Sequence, residues 1–178
     1  MLRGELYRAD DPELVADHRR CRLLVEAFNA TSVDQADERR KLLHSLFGVV
    51  GNGAEVRPPL QCDYGFNVAC GDDTFVNYGA VFLDVAPIRI GAGVQIGTNV
   101  QLLTATHPLE ATARRQGWES GSPITIGEGV WLGGGVIVCP GVTIGEDTVV
   151  GAGSVVVSDL PSGVLAVGNP ARVVRSLS

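Results

Sequence analysis

The chain has 178 residues, 23 glycines and a formal net charge of −6, with one lysine against thirteen arginines. That length allows one well buried domain, or one domain with a small appendage. The acidic balance argues against a nucleic-acid partner, which wants a basic face, but leaves room for a local arginine patch. No stretch reaches the eighteen or more apolar residues of a membrane helix, and residues 1–11 hold neither the apolar run nor the cleavage site of a signal peptide.

The first predicted elements are helical. Asp10 or Asp11 can cap a helix that Pro12 opens, and Leu14, Val15, Cys21, Leu24, Val25 and Phe28 recur at spacings of three and four until Asn29. A second helix is predicted from Thr31 or Ser32, with Asp34 and Asp37 early, Arg39, Arg40 and Lys41 later, and Leu42, Leu43, Leu46 and Phe47 on its apolar side, ending at Gly48. Two helices of this size cannot make a stable core alone, so they should cap whatever follows. His18 and His44 lie inside them with no metal spacing and read as solvated or packing side chains.

After an extended, glycine- and proline-rich passage over residues 48–59, a period of six emerges. It is faint at Cys70, Val76 and Phe82, slips by two residues across residues 84–88, and is firm at Ile90, Ile96 and Leu102. Ala86-Pro87-Ile88-Arg89-Ile90-Gly91 is answered later by Ser122-Pro123-Ile124-Thr125-Ile126-Gly127, which marks the same kind of corner. Between them the beat stops. His107-Pro108 opens a polar segment to Gly121, predicted to be a loop extruded from the repeat and the place for chemistry.

The beat is clearest over residues 126–160. Ile126, Leu132, Val138, Ile144, Val150 and Val156 fall six apart, followed by small residues at Gly127, Gly133, Cys139, Gly145 and Gly151. No α-helix has that period; a parallel β-helix does, each hexad giving a short strand and a corner and three hexads closing a triangular coil. Ile126 should stack on Ile144, Leu132 on Val150, and Val138 on Val156, each burial stabilising by roughly 1.5–3 kcal/mol. Cys21, Cys62, Cys70 and Cys139 stand too far apart for a CxxC motif, so the expectation is four reduced thiols in the cytoplasm and no zinc site.

The sequence resembles the hexapeptide-repeat acyltransferases, and within them the maltose and galactoside O-acetyltransferases. The resemblance is carried by Gly4-Glu5-Leu6-Tyr7-Arg8, Cys62-Asp63-Tyr64-Gly65-Phe66-Asn67, Leu83-Asp84-Val85, Thr104-Ala105-Thr106-His107-Pro108, Gly129-Val130-Trp131-Leu132-Gly133-Gly134 and Gly168-Asn169-Pro170-Ala171-Arg172. It implies a mainly β chain, with a helical cap over residues 1–55 and a left-handed parallel β-helix over residues 56–178. Handedness comes from the resemblance alone, since parallel crossovers are otherwise overwhelmingly right-handed. It further implies a homotrimer with active sites between subunits.

The implied reaction moves acetyl from acetyl-coenzyme A to a hydroxyl of a small saccharide, directly in a ternary complex, with no metal required. By resemblance His107 is the general base, and the Gly134 N–H is the candidate donor to the developing oxyanion. Asp63, Asn77 and Asp84 match acceptor-contacting positions, with Tyr64 beside them. Trp131 and Ala152 match positions along the pantetheine arm, and Arg172 and Arg175 match the phosphate-facing arginines. Two departures stand out: Ala9 occupies the place of an acceptor-contacting aspartate, and Val157-Ser158 replaces Thr-Lys.

Two other enzyme readings and one non-enzyme reading compete. The acceptor could be another hydroxyl, on an oligosaccharide signal or an antibiotic. A β-helix carbonic anhydrase needs three histidines around zinc, whereas the repeat region holds only His107. A non-catalytic assembly module would have no use for His107, Trp131 and the arginine pair.

Overall fold

The computed structural model describes residues 1–2 and 4–177. The chain enters through β1 (Tyr7–Arg8), α1 (Pro12–Asn29) and α2 (Ala36–Leu46). The first coil is β2 (Val49–Val50), β3 (Glu55–Val56) and β4 (Leu60–Cys62); the second is β5 (Val68–Cys70), β6 (Phe75–Val76) and β7 (Ala80–Leu83). The third is β8 (Ile88–Ile90), β9 (Gln95–Ile96) and β10 (Gln101–Leu103), after which β11 (Ala105–Thr106), α3 (Ala111–Arg115) and β12 (Trp118–Gly121) interrupt the winding. It resumes with β13 (Ile124–Ile126), β14 (Trp131–Leu132) and β15 (Ile137–Val138), then β16 (Thr143–Ile144), β17 (Val149–Val150) and β18 (Val155–Val156). The chain closes with β19 (Val164–Val167) and β20 (Arg172–Ser176).

Three parallel stacks make the three walls of a prism: β2-β5-β8-β13-β16, β3-β6-β9-β14-β17-β19, and β4-β7-β10-β15-β18, called here the first, second and third walls. Strand β20 adds antiparallel to β19 at the end of the second wall. The fold is therefore the parallel β-helix expected from the six-residue beat. Ile126 pairs with Ile144, Leu132 with Val150, and Val138 with Val156, as the eighteen-residue return requires. The two-residue slip widens the early coils: Cys70 pairs with Ile90, Val76 with Ile96 and Phe82 with Leu102, twenty residues on. Ile124 lies against Ile88, so the two Pro-Ile corners do coincide.

Two side chains per rung point inward, as Ile126 and Val130 or Leu132 and Val136 do, and Leu60, Phe82, Ile96, Leu102, Ile126, Leu132 and Ile144 are among the most deeply buried. The open end of the coil is closed by α1 and α2, whose Cys21, Val25, Phe28, Leu43, Leu46 and Phe47 join the same core. Asn29 fastens α1 to the first coil: its Nδ2 donates to the Leu60 carbonyl at 2.8 Å, and its Oδ1 accepts from the Leu60 N–H at 2.8 Å. Val15, expected on the apolar side of α1, is exposed.

Two predicted elements need correction. Helix α2 starts at Ala36, not at Thr31 or Ser32, because those residues are consumed by a turn. The Thr31 hydroxyl donates to the Phe28 carbonyl at 2.8 Å, the Ser32 N–H donates to Gln35 Oε1 at 2.8 Å, and the Arg39 guanidinium donates to the Ser32 carbonyl. Nor is the segment over residues 107–121 a plain loop. Glu110 caps α3 by accepting from the Thr112 and Ala113 N–H groups, and β12 runs antiparallel between β1 and β11. The periodicity of six is blind to that small sheet, since β1 pairs with β12 across 112 residues and the side chains alternate by two. Among the described residues no helix is long and apolar enough to cross a membrane.

Candidate active site

The residues expected to carry chemistry fall on two different edges of the prism. Asp63, Tyr64, Asp84 and His107 follow strands of the third wall, where the chain turns toward the first. Asn77, Gly134 and Ala152 follow strands of the second wall, where it turns toward the third, and Trp131, Arg172 and Arg175 stand on the second wall itself. A cleft of about 570 Å³ between α2 and the first coil, lined by Arg39, Arg40, His44 and Asn52 among others, contains none of them.

On the first of these edges Asp84 is the anchor. Its Oδ1 accepts from the Asp63 and Tyr64 N–H groups at 3.1 and 2.9 Å, and its Oδ2 accepts from the Asn67 N–H at 3.3 Å. Asn67 Nδ2 returns a bond to the Asp84 carbonyl at 2.7 Å. The side chain is wholly buried, and Asp84 holds the turn over residues 63–67. Burial raises its carboxyl above the ordinary range against the pull of those backbone donors.

Asp63 is half-buried on the turn that Asp84 holds. Burial first, then the neighbouring Asp84 carboxylate, push it up to about 6, while His18 on α1 pulls the other way. Because the folded value lies above the usual 3.8, ionising Asp63 costs stability. The cost is absent below about pH 4 and complete above about pH 6. Asp63→Asn should therefore raise the stability at pH 8 by roughly 1–2 kcal/mol, allowing for solvent screening, and leave it unchanged at pH 4. Urea denaturation at the two pH values checks this.

Tyr64 is buried, edge-on to the His18 ring at 6.2 Å and 5.8 Å from the Phe66 ring. Burial and the nearby Asp63 and Glu119 push its phenol up to about 12. His107 is exposed and directly follows β11, whose Thr106 pairs with Ser120 on β12. The next residue on β12, Glu119, pairs with Tyr7 on β1, and the Tyr7 hydroxyl donates to Glu119 Oε2 at 3.1 Å. Tyr7, His18 and Glu119 thus belong to this edge with His107 and Asp63. No spacing in the sequence signals Glu119; only the antiparallel pairing of β12 brings it there.

The second edge is a column of corners. The Gly135 N–H donates to the Thr98 carbonyl at 2.7 Å, the Gly133 N–H to the Val150 carbonyl at 2.8 Å, and the Gly153 N–H to the Gly134 carbonyl at 2.9 Å. The Gly134 N–H donates to no described residue. The corners stack so closely that a Cβ on Gly97 would stand 2.6 Å from the Gly134 nitrogen, and one on Gly133 would stand 2.6 Å from the Ala152 nitrogen. Trp131 is 55% exposed beside this column, and Ala152 is exposed at its next corner. Asn77 sits two corners away from Gly134, with its Oδ1 accepting from the Tyr78 N–H at 2.9 Å.

Arg172 and Arg175, three apart on a strand, would ordinarily point to opposite faces. A bulge between Leu165 and Ala166 changes that: Arg172 pairs with Val167 and Arg175 with Leu165, whereas Val173 pairs with the inward-facing Ala166. Paired residues share a face, so both arginines lie on the outer side with Trp131. Neither is in an ion pair with a described carboxylate.

Three-sided coils built from six-residue rungs define a hexapeptide-repeat protein, and residues 123–158 match the family described as bacterial transferase hexapeptide (six repeats). Residues 1–51 match the maltose acetyltransferase hexapeptide capping motif. The structure is similar to that of a maltose O-acetyltransferase from Clostridium difficile 630, with a TM-score of 0.98, 46% identity, and coverage of 99% of this chain and 95% of that one. It is also similar to a hexapeptide-repeat acetyltransferase from Vibrio cholerae complexed with acetyl-coenzyme A, with a TM-score of 0.94, 40% identity, and coverage of 100% and 96%. Nodulation protein L of Rhizobium meliloti (strain 1021) is 47% identical over 97% of this chain and 94% of its own length. The chain belongs to the maltose/galactoside O-acetyltransferase family of hexapeptide-repeat acetyltransferases.

Proposed function

We propose that this protein transfers acetyl from acetyl-coenzyme A to a hydroxyl of a small saccharide of the maltose, glucose or galactoside type, with His107 as general base. The observation that carries the reading is the division of the site between two edges. His107 and Asp63 stand on one edge, while Gly134, Trp131 and the arginine pair stand on another. A homotrimer that sets one protomer's first edge against its partner's second would unite them, and the exposure of both halves in a single chain supports that assembly.

In such a site the coenzyme phosphates meet Arg172 and Arg175, and the pantetheine arm passes Trp131 and Ala152 toward Gly134. The acceptor hydroxyl gives its proton to His107 as its oxygen attacks the thioester carbonyl carbon. The unclaimed Gly134 N–H donates to the oxygen that becomes negative, and the coenzyme sulfur leaves with the proton returned from His107. No acyl-enzyme is needed. Asp63, Tyr64 and Asn77 offer the polar groups a polyhydroxylated ring requires, and Glu119 adds a carboxylate beside His107.

The test is release of free coenzyme A from acetyl-coenzyme A against maltose, glucose, a galactoside and chloramphenicol. Sugar-dependent release supports the reading, and silence with every sugar sinks it. A second reading, acetylation of another hydroxyl such as that of an oligosaccharide signal, is favoured by the likeness to a relative named for nodulation; release with chloramphenicol alone would point to an antibiotic acceptor. Arg172→Ala and Arg175→Ala should each raise the KM for acetyl-coenzyme A by about tenfold, with kcat little changed, as expected when a charge-assisted phosphate contact is lost. Steady-state kinetics at varied coenzyme concentration checks this.

A further inference from the structure

We propose that Cys21 and Cys62 form a latent disulfide, a modification site for hydrogen peroxide that fastens the helical cap to the first coil. The pairing holds whether or not the acceptor is a saccharide.

Helix α1 lies along β4 and the turn after it at three points, met in opposite order along the two segments. Asn29 is bonded both ways to the Leu60 backbone, Cys21 meets Cys62, and the His18 ring meets the Tyr64 ring at 6.2 Å. The middle contact is therefore held from both sides. Its Sγ atoms stand 3.6 Å apart, and the Cys21 Sγ also donates to the Cys62 carbonyl at 3.5 Å. Of the four free thiols, these two alone make a sulfur–sulfur contact among the described residues.

A disulfide needs its sulfurs about 2.05 Å apart, so each Sγ has about 0.8 Å to travel. Small χ1 rotations supply that shift while Asn29 keeps helix and strand in place. The bond closes a loop that contains all of α2, and so restricts the unfolded chain more than the folded one.

Burial selects the oxidant. Cys21 is fully enclosed and Cys62 is 7% exposed, so a bulky disulfide cannot align for exchange, whereas a peroxide little larger than water reaches Cys62. The Cys62 thiolate sulfur attacks one peroxide oxygen; the O–O bond breaks, water leaves, and a sulfenic acid remains. The Cys21 sulfur then attacks the Cys62 sulfur; the S–O bond breaks, and a second water carries off the Cys21 proton. Two thiols give up two electrons and two protons, and one peroxide becomes two waters. The hydrogen bond with Cys21, and then burial, push the Cys62 thiol up, which keeps the pair reduced until peroxide is in sustained excess.

The experiment treats the purified full chain with hydrogen peroxide at neutral pH, removes the excess with catalase, alkylates the remaining thiols in denaturant, and maps the peptides. The expected result is one peptide pair joined through Cys21 and Cys62, with Cys70 outside the link, and a Tm raised by roughly 5–10 °C. Cys21→Ala and Cys62→Ala should each abolish the link and the shift, and Cys139→Ala should retain both. Recovery of Cys21 and Cys62 on separate peptides, alkylated or over-oxidised, overturns the proposal, as does a joined pair that leaves Tm unchanged. The wild-type map decides the matter however the alanine variants fold, and because it uses no acceptor, its failure leaves the saccharide reading standing.

Discussion

Replacing His107 by alanine should lower kcat for acetyl transfer to the best sugar by roughly 10²- to 10⁴-fold, with the KM for acetyl-coenzyme A nearly unchanged. A sugar hydroxyl is a poor nucleophile until its proton is taken as it attacks, and an imidazole is suited to hold that proton near neutral pH. His107 is exposed and stands outside the core, so its removal leaves the fold intact. Unchanged thermal unfolding beside the loss of rate separates a catalytic role from a structural one. If the site lies between subunits, a mixture of His107→Ala and Arg172→Ala/Arg175→Ala subunits should recover part of the activity that neither has at low coenzyme concentration. Retention of full activity by His107→Ala would remove this residue from the mechanism.

Asp84→Ala should have the opposite profile, a loss of stability of roughly 3–5 kcal/mol. The variant leaves the N–H groups of Asp63, Tyr64 and Asn67 without their acceptor at the boundary of the core, and it opens a void beneath the turn. Asp84→Asn keeps an oxygen for part of this set and removes a carboxylate whose ionised form burial opposes, so its loss should be smaller at pH 8. Urea denaturation of the two variants checks the order. Since Asp63 sits on the turn that Asp84 holds, the KM for sugar should also rise in whichever variant remains folded.

These two residues illustrate how unevenly the site could be read in advance. Family resemblance points to both, and both are four residues or fewer from the end of a third-wall strand. One is exposed and the other is wholly buried, and no one-dimensional pattern distinguishes them. The contrast arises from neighbours distant in sequence. Asp84 is enclosed because the turn over residues 63–67, in the preceding coil, closes over it, whereas His107 leaves the coil on β11.

The six-residue periodicity is enough to specify the β-helix, its rung and the pairing of its later coils. Each inward aliphatic meets its own kind one coil on, so a repeat in the sequence is a contact in space. The sequence also requires that two short amphipathic helices lie on the coil, since they have too little apolar surface to fold alone. Tertiary structure alone decided what broke the period. Strand β12 slots between β1 and β11 and delivers Glu119 to the neighbourhood of His107, and the bulge against β20 turns Arg172 and Arg175 to one face. It also decided that the candidate residues divide between two edges, because the edge a residue occupies depends on the count of coils and insertions before it. Local spacing carries the rung; only the closed winding assigns each rung its wall.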